Sequence, residues 1–89
     1  MYLNPIYSIQ SIAGEHFIFM KNENQVDMTR VISLSNTAAW LWTQLEKKNF
    51  TLNDAVELLI GNYEVGEEIA FFDTKRWLEQ LKKNDLLLD

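Results

Sequence analysis

At Ser35 the apolar repeat of this chain changes from about two residues to about 3.6, and no other feature constrains its fold as tightly. Before that point the pattern is that of strands. Ile6-Tyr7-Ser8-Ile9-Gln10-Ser11-Ile12 interleaves β-branched Ile with Ser and Gln. Ala13-Gly14-Glu15 then gives a tight hairpin, with the glycine supplying the positive φ that such a turn needs. His16-Phe17-Ile18-Phe19-Met20 is apolar on both faces, as a central strand would be. Lys21-Asn22-Glu23-Asn24-Gln25 reads as a polar loop. A third strand is expected over residues 29–34, with Arg30, Ile32 and Leu34 on one face and Val31 and Ser33 on the other.

After Ser35 three helices follow. Ser35 is a natural N-cap, and helix one, about residues 36–46, aligns Ala38, Leu41, Trp42 and Leu45 in one stripe. Trp40 falls off that stripe; packing against the sheet or the tail is its default, and a partner surface is the alternative. Lys47-Lys48-Asn49 closes the helix. Thr51-Leu52-Asn53-Asp54 is a capping box variant that opens helix two. Helix two faces Leu52, Ala55, Val56, Leu59 and Ile60 inward and stops at Gly61-Asn62. Helix three, about residues 67–83, carries Glu67 and Glu68 in its first turn and Lys82 and Lys83 in its last, both matched to the macrodipole. The apolar tail Leu86-Leu87-Leu88 is positioned to dock on the core or to add a strand. Strands followed by helices predict one α+β domain over residues 1–89, its helices gathered on one side of a three-stranded antiparallel sheet with at least one edge open.

Composition removes most functions. Apolar runs reach only four or five residues, too few to span a bilayer, and no basic-then-apolar leader is visible, so the expected location is the cytoplasm. The absence of cysteine excludes disulfides and thiolate chemistry. Eleven aromatics supply enough core for a chain of 89 residues to fold without metal or disulfide. A net charge of −5 disfavours phosphate binding.

No catalytic constellation is readable. His16, the single histidine, has no partner at ligand or triad spacing and is expected to be a structural or surface residue. The acidic residues Asp54, Glu57, Glu64, Glu67, Glu68 and Asp73 do not follow a calcium-loop spacing and read as a solvated face. No phosphate-binding glycine loop or zinc motif occurs, so neither an enzyme nor a resident cofactor or metal is expected. Helix three is richer. Ala70, Phe71, Thr74, Trp77, Leu78 and Leu81 form its inward arc, and beside Phe71 lies a shoulder that mixes Phe72 with Lys75 and Lys82. Two readings compete: Phe72 covers the connection at Tyr63-Glu64-Val65 while the lysines snorkel, or the shoulder is an apolar and basic groove wall for an acidic, hydrophobic partner.

The segment Leu34-Ser35-Asn36-Thr37-Ala38-Ala39-Trp40-Leu41-Trp42 resembles the PqqD family, the pyrroloquinoline quinone biosynthesis protein D group. Phe50-Thr51-Leu52, Tyr63-Glu64-Val65 and the spacing of Asp73, Trp77, Leu78, Leu81, Leu86 and Leu87 are similar to later landmarks of that family, so the resemblance runs from Ile12 to Leu87. Ser35 stands where the family usually has Asn. Lys48-Asn49 and Asp85 stand where it usually has Gly, and Asn49 and Asn84 are the residues expected to adopt the left-handed turns instead.

The resemblance implies a winged-helix-like recognition element for the leader segment of a ribosomally made precursor peptide. It implies that the leader adds as a strand to the third β-strand, in a groove walled by helix three. It also implies delivery to a modifying enzyme such as a radical S-adenosylmethionine maturase, with no chemistry done by the domain itself. The candidate peptide-binding residues are then Thr29, Arg30, Val31, Ile32, Ser33 and Leu34 on the strand, and Phe71, Phe72, Lys75, Leu78 and Lys82 on the helix. Two alternatives stand beside it. One is a winged-helix DNA-binding regulator, opposed by Asp54 and Glu57 on helix two and by Glu67-Glu68 opening helix three. The other is a plain protein–protein adaptor or homodimer that uses the spare aromatics.

Overall fold

The structure, a computed structural model, describes the backbone of residues 1–22 and 25–89 and the side chains of residues 1–20 and 30–89. The chain order is β1 (Tyr2–Leu3), β2 (Gln10–Ile12), β3 (Glu15–Asn22), β4 (Gln25–Leu34), α1 (Asn36–Leu45), α2 (Leu52–Asn62), α3 (Glu67–Lys83) and β5 (Leu87–Leu88). The expected α+β architecture is present: β2, β3 and β4 form an antiparallel sheet in that order, and three helices follow. β3 is central, in keeping with its apolar residues on both faces. Ile18 and Met20 enter the core, while Phe17 and Phe19 lie half-buried on the other face.

Three sheet details differ from expectation. The first strand is shorter than residues 6–12, because only Gln10–Ile12 pairs with β3. The loop expected over Lys21-Asn22-Glu23-Asn24-Gln25 is narrower, since Lys21 pairs with Val26 and Asn22 with Gln25; Glu23 and Asn24 lie outside the described residues. The third strand therefore starts at Gln25. Its register jumps: Phe19 pairs with Val31 but Met20 with Asp27, so residues 28–30 of β4 have no opposite number. Polar side chains conceal a strand that is long but interrupted.

Helix boundaries follow local chemistry. Ser35 Oγ accepts from the Ala38 amide at 3.1 Å. Thr51 and Asp54 make the reciprocal capping box, Asp54 N–H to Thr51 Oγ1 at 3.1 Å and Thr51 N–H to Asp54 Oδ2 at 2.9 Å. In α1 the buried stripe is Ala39, Leu41, Trp42 and Leu45; Ala38 is only half-buried. Trp40 stacks edge-on against Tyr63, ring centres 5.5 Å apart, which ties α1 to the connection between α2 and α3.

The tail does both things open to it. Leu86 and Leu87 are buried, and β5 pairs antiparallel with β1 as a separate two-stranded sheet. Asn4 reinforces this closure, its amide donating to Leu86 O at 2.9 Å and its Nδ2 to Asp85 O at 2.8 Å. The left-handed turns fall on Lys47 (φ 64°) and Asp85 (φ 60°) rather than on Asn49 and Asn84. At the end of α3 the Leu86 amide reaches Leu81 O and the Asp85 amide Lys82 O, a Schellman motif that places the positive φ one residue after Asn84.

The core behind the sheet gathers Ile18, Met20, Trp42, Leu45, Phe50, Ala55, Leu78, Leu81, Leu86 and Leu87. A second cluster of Leu41, Val56, Leu59 and Ala70 joins α1, α2 and the first half of α3, and half-buried Trp77 packs against both.

Candidate peptide-binding cleft

Among the described strands, β4 has a neighbour on one side only, β3. Its last residues Ile32, Ser33 and Leu34 form one wall of a surface cleft. The other wall is the second half of α3, where Trp77, Gln80, Leu81 and Asn84 recur at the three- and four-residue spacing of one helix face. Ser35 and Ala38 at the start of α1 and Leu86 of the tail close the cleft at its ends, and Lys83 adds a cation to its lining.

Ile32 and Leu34 turn toward the main core and are half-buried, whereas Val31 and Ser33 are exposed, in agreement with the alternation in the sequence. An edge strand directs the N–H and C=O of alternate residues outward. The regular stretch from Val31 to Leu34 therefore presents about two residues' worth of unpaired backbone to the cleft before the register breaks. The break also guards the edge, because a discontinuous ladder is a poor template for pairing between copies of the sheet.

The candidate residues of α3 are dispersed. Leu78 is buried in the main core. Phe71 and Phe72 belong to a different hollow, shared with α2 and lined by Asn53, Val56, Glu57, Ile60, Glu67 and Glu68. Phe71, expected on the inward arc, is 37% exposed. The reason is height along the axis: Phe71 and Trp77 are six residues, roughly 9 Å, apart, so α3 has passed from α2 to the sheet between them. Lys75 is exposed and lines neither depression, and Lys82 pairs with Asp89 at 3.2 Å on the exposed surface. On β4, Arg30 is exposed at the register break, and the side chain of Thr29 lies outside the described residues. The groove-facing set Trp77, Gln80, Leu81 and Asn84 was readable in principle from the helical spacing that starts at Trp77.

His16 bridges secondary structure. Its Nδ1 lies 2.8 Å from Ser11 Oγ and its Nε2 2.9 Å from Asn36 Oδ1, linking β2, β3 and the first residue of α1 beside the upper end of the cleft. Among the described residues no group of His, Cys, Asp or Glu could hold a metal ion, and no helix is long and apolar enough to cross a membrane.

An open strand edge facing an amphipathic helix across one cleft is the geometry of this α+β domain. The comparisons identify the family: residues 16–87 match the family model described as coenzyme PQQ synthesis protein D (PqqD), and the chain belongs to that family. The family is one of non-catalytic accessory proteins in the synthesis of that coenzyme. No curated protein and no solved structure matches the chain.

Proposed function

We propose that this chain is a non-catalytic adaptor that captures the leader segment of a ribosomally made precursor peptide and presents it to a modifying enzyme. The leader adds as a strand to the outer edge of β4 and lies against α3. The observation that carries this reading is the pairing of an open edge at Val31–Leu34 with the Trp77–Leu81 face across one cleft. Magnitudes then assign the roles. About four backbone hydrogen bonds contribute roughly 2–6 kcal/mol net. Association costs about 4–15 kcal/mol, so backbone pairing alone does not hold the guest. Burial of its apolar side chains against Trp77, Leu81 and Ala38 supplies the remainder, and selectivity with it. Gln80, Asn84, Ser33 and Ser35 are available to polar side chains of the guest, and Lys83 to an acidic one.

The test is an NMR titration of the labelled chain with a synthetic leader peptide from the precursor gene nearest its own. Amide shifts are expected at residues 31–35 and 77–84. Saturable binding that leaves those two segments unmoved would falsify the proposal.

A further inference from the structure

The hollow between α2 and α3 has a floor and a rim of different chemistry. Val56 is buried at its base, while Ile60, Phe71 and Phe72 are 36%, 37% and 58% exposed. Phe71 and Phe72 meet edge to face with ring centres 5.7 Å apart, which holds two aromatic anchors in a defined arrangement. Around them stand Glu57, Glu67 and Glu68, and among the described residues no basic side chain joins the lining. We propose that this hollow is a second docking site, which takes an amphipathic helix of another protein bearing apolar anchors flanked by lysine or arginine.

Two helices form the walls, so a third helix is the shape that fills the space, with its apolar face laid into the groove. The carboxylates select the charge of that helix. A second copy of this chain seated symmetrically would set Glu57, Glu67 and Glu68 of each protomer against their counterparts, a repulsive arrangement. Of the four basic residues of α3, Lys75 stands one turn beyond Phe71 and Phe72 without lining the hollow, and Arg76, Lys82 and Lys83 lie further toward the other end of the helix. The site stands apart from the cleft: none of its lining residues is shared with the wall formed by β4 and α3. Both surfaces can therefore be occupied at once, and neither proposal depends on the other.

The probe is a synthetic amphipathic helical peptide of about 15 residues, with Leu and Phe on one face and Lys on the other. The control replaces every Lys with Glu. With the full labelled chain, the Lys peptide is expected to shift the amides of Val56, Ile60, Phe71 and Phe72, to leave residues 31–34 unmoved, and to bind more weakly as salt is raised. Phe72→Ala removes an exposed side chain and keeps the fold; its affinity is expected to fall about tenfold. The double variant Glu67→Lys with Glu68→Lys is expected to lose as much, and to gain affinity for the Glu peptide. Equal binding of the two peptides, shifts confined to other surfaces, or a wild-type dimer abolished by Phe72→Ala would each overturn the assignment.

Discussion

Two depressions on α3, one shared with β4 and one with α2, invite different kinds of recognition. The cleft beside β4 offers unpaired backbone and a Trp-Leu face that continues into the main core. The hollow beside α2 offers side chains alone, two exposed phenylalanines ringed by carboxylates. Backbone pairing tolerates many guest sequences, whereas aromatic anchors within a charged rim discriminate by composition. A 17-residue helix is long enough, roughly 25 Å, to hold both without sharing a residue. The proposed adaptor, with a peptide at one surface and a helix of another protein at the other, needs that division.

The largest expected effect separates the two by their connection to the core. Trp77 packs on both hydrophobic clusters, so Trp77→Ala is expected to cost about 3 kcal/mol and to abolish cleft binding with it. Phe72→Ala, by contrast, is expected to change stability by less than about 0.5 kcal/mol. Urea denaturation of both variants measures the difference, and similar losses would mean that the hollow is as much a part of the core as the cleft.

A proline pair at Ile32 and Ser33 comes next. Adjacent residues of an edge strand point their N–H groups in opposite directions, so one substitution breaks the ladder to β3 and the other removes a donor facing the cleft. The first variant is expected to melt earlier. The second is expected to keep its Tm and to lose leader-peptide affinity about tenfold or more, while the Lys peptide still binds at α2. If both prolines leave leader binding intact, the guest does not use this edge.

Much of this geometry is legible in the sequence. The bounds of α3 follow from its acidic first turn and basic last turn, and the starts of α1 and α2 from Ser35 and the Thr51–Asp54 box, because caps are local chemistry. The pairing of β1 with β5 joins opposite ends of the chain through two residues each, too few for any periodicity to register. The register jump in β4 leaves no mark either, since alternation is legible on each side of a break but not across it. The site was half legible. Strand order and the family resemblance imply an edge over residues 29–34, of which only 31–34 pair regularly with β3, and on α3 the angle around the axis located the apolar face without fixing which neighbour lies at each height. That is why Phe71 and Phe72 fall beside α2 and Trp77 beside β4.

A smaller effect tests the shared backbone of the two regions. Thr74 lies on α3 between them, 1% exposed, and its hydroxyl has no hydrogen-bond partner among the described residues. A buried unpaired hydroxyl is costly, so Thr74→Val is expected to stabilise the fold by about 1 kcal/mol, a rise in Tm of roughly 4–8 °C. Binding at both depressions should be unchanged. A fall in Tm would reveal a partner for that hydroxyl.

The smallest effect concerns the turns that bound α1 and α3. Lys47 occupies the third position of a turn closed by the Lys48 amide on Leu45 O at 3.2 Å, with Glu46 at φ −61° and ψ 144° before it. This is a type II turn, and its third position favours Gly or Asn. Asp85 occupies the left-handed position of the Schellman motif at the foot of the cleft. A left-handed residue with a Cβ costs about 1–2 kcal/mol, less for Asp, whose short polar side chain tolerates the region. Glycine relieves that strain but gives back about 0.5–1 kcal/mol through the freedom of the unfolded chain. Lys47→Gly is therefore expected to stabilise by about 0.5 kcal/mol and Asp85→Gly to be nearly neutral, with leader binding unaffected in both. Paired chemical denaturation curves resolve the order, and a larger gain at Asp85 would show that the end of α3, and with it the Asn84–Leu86 lip of the cleft, is held under more strain than the end of α1.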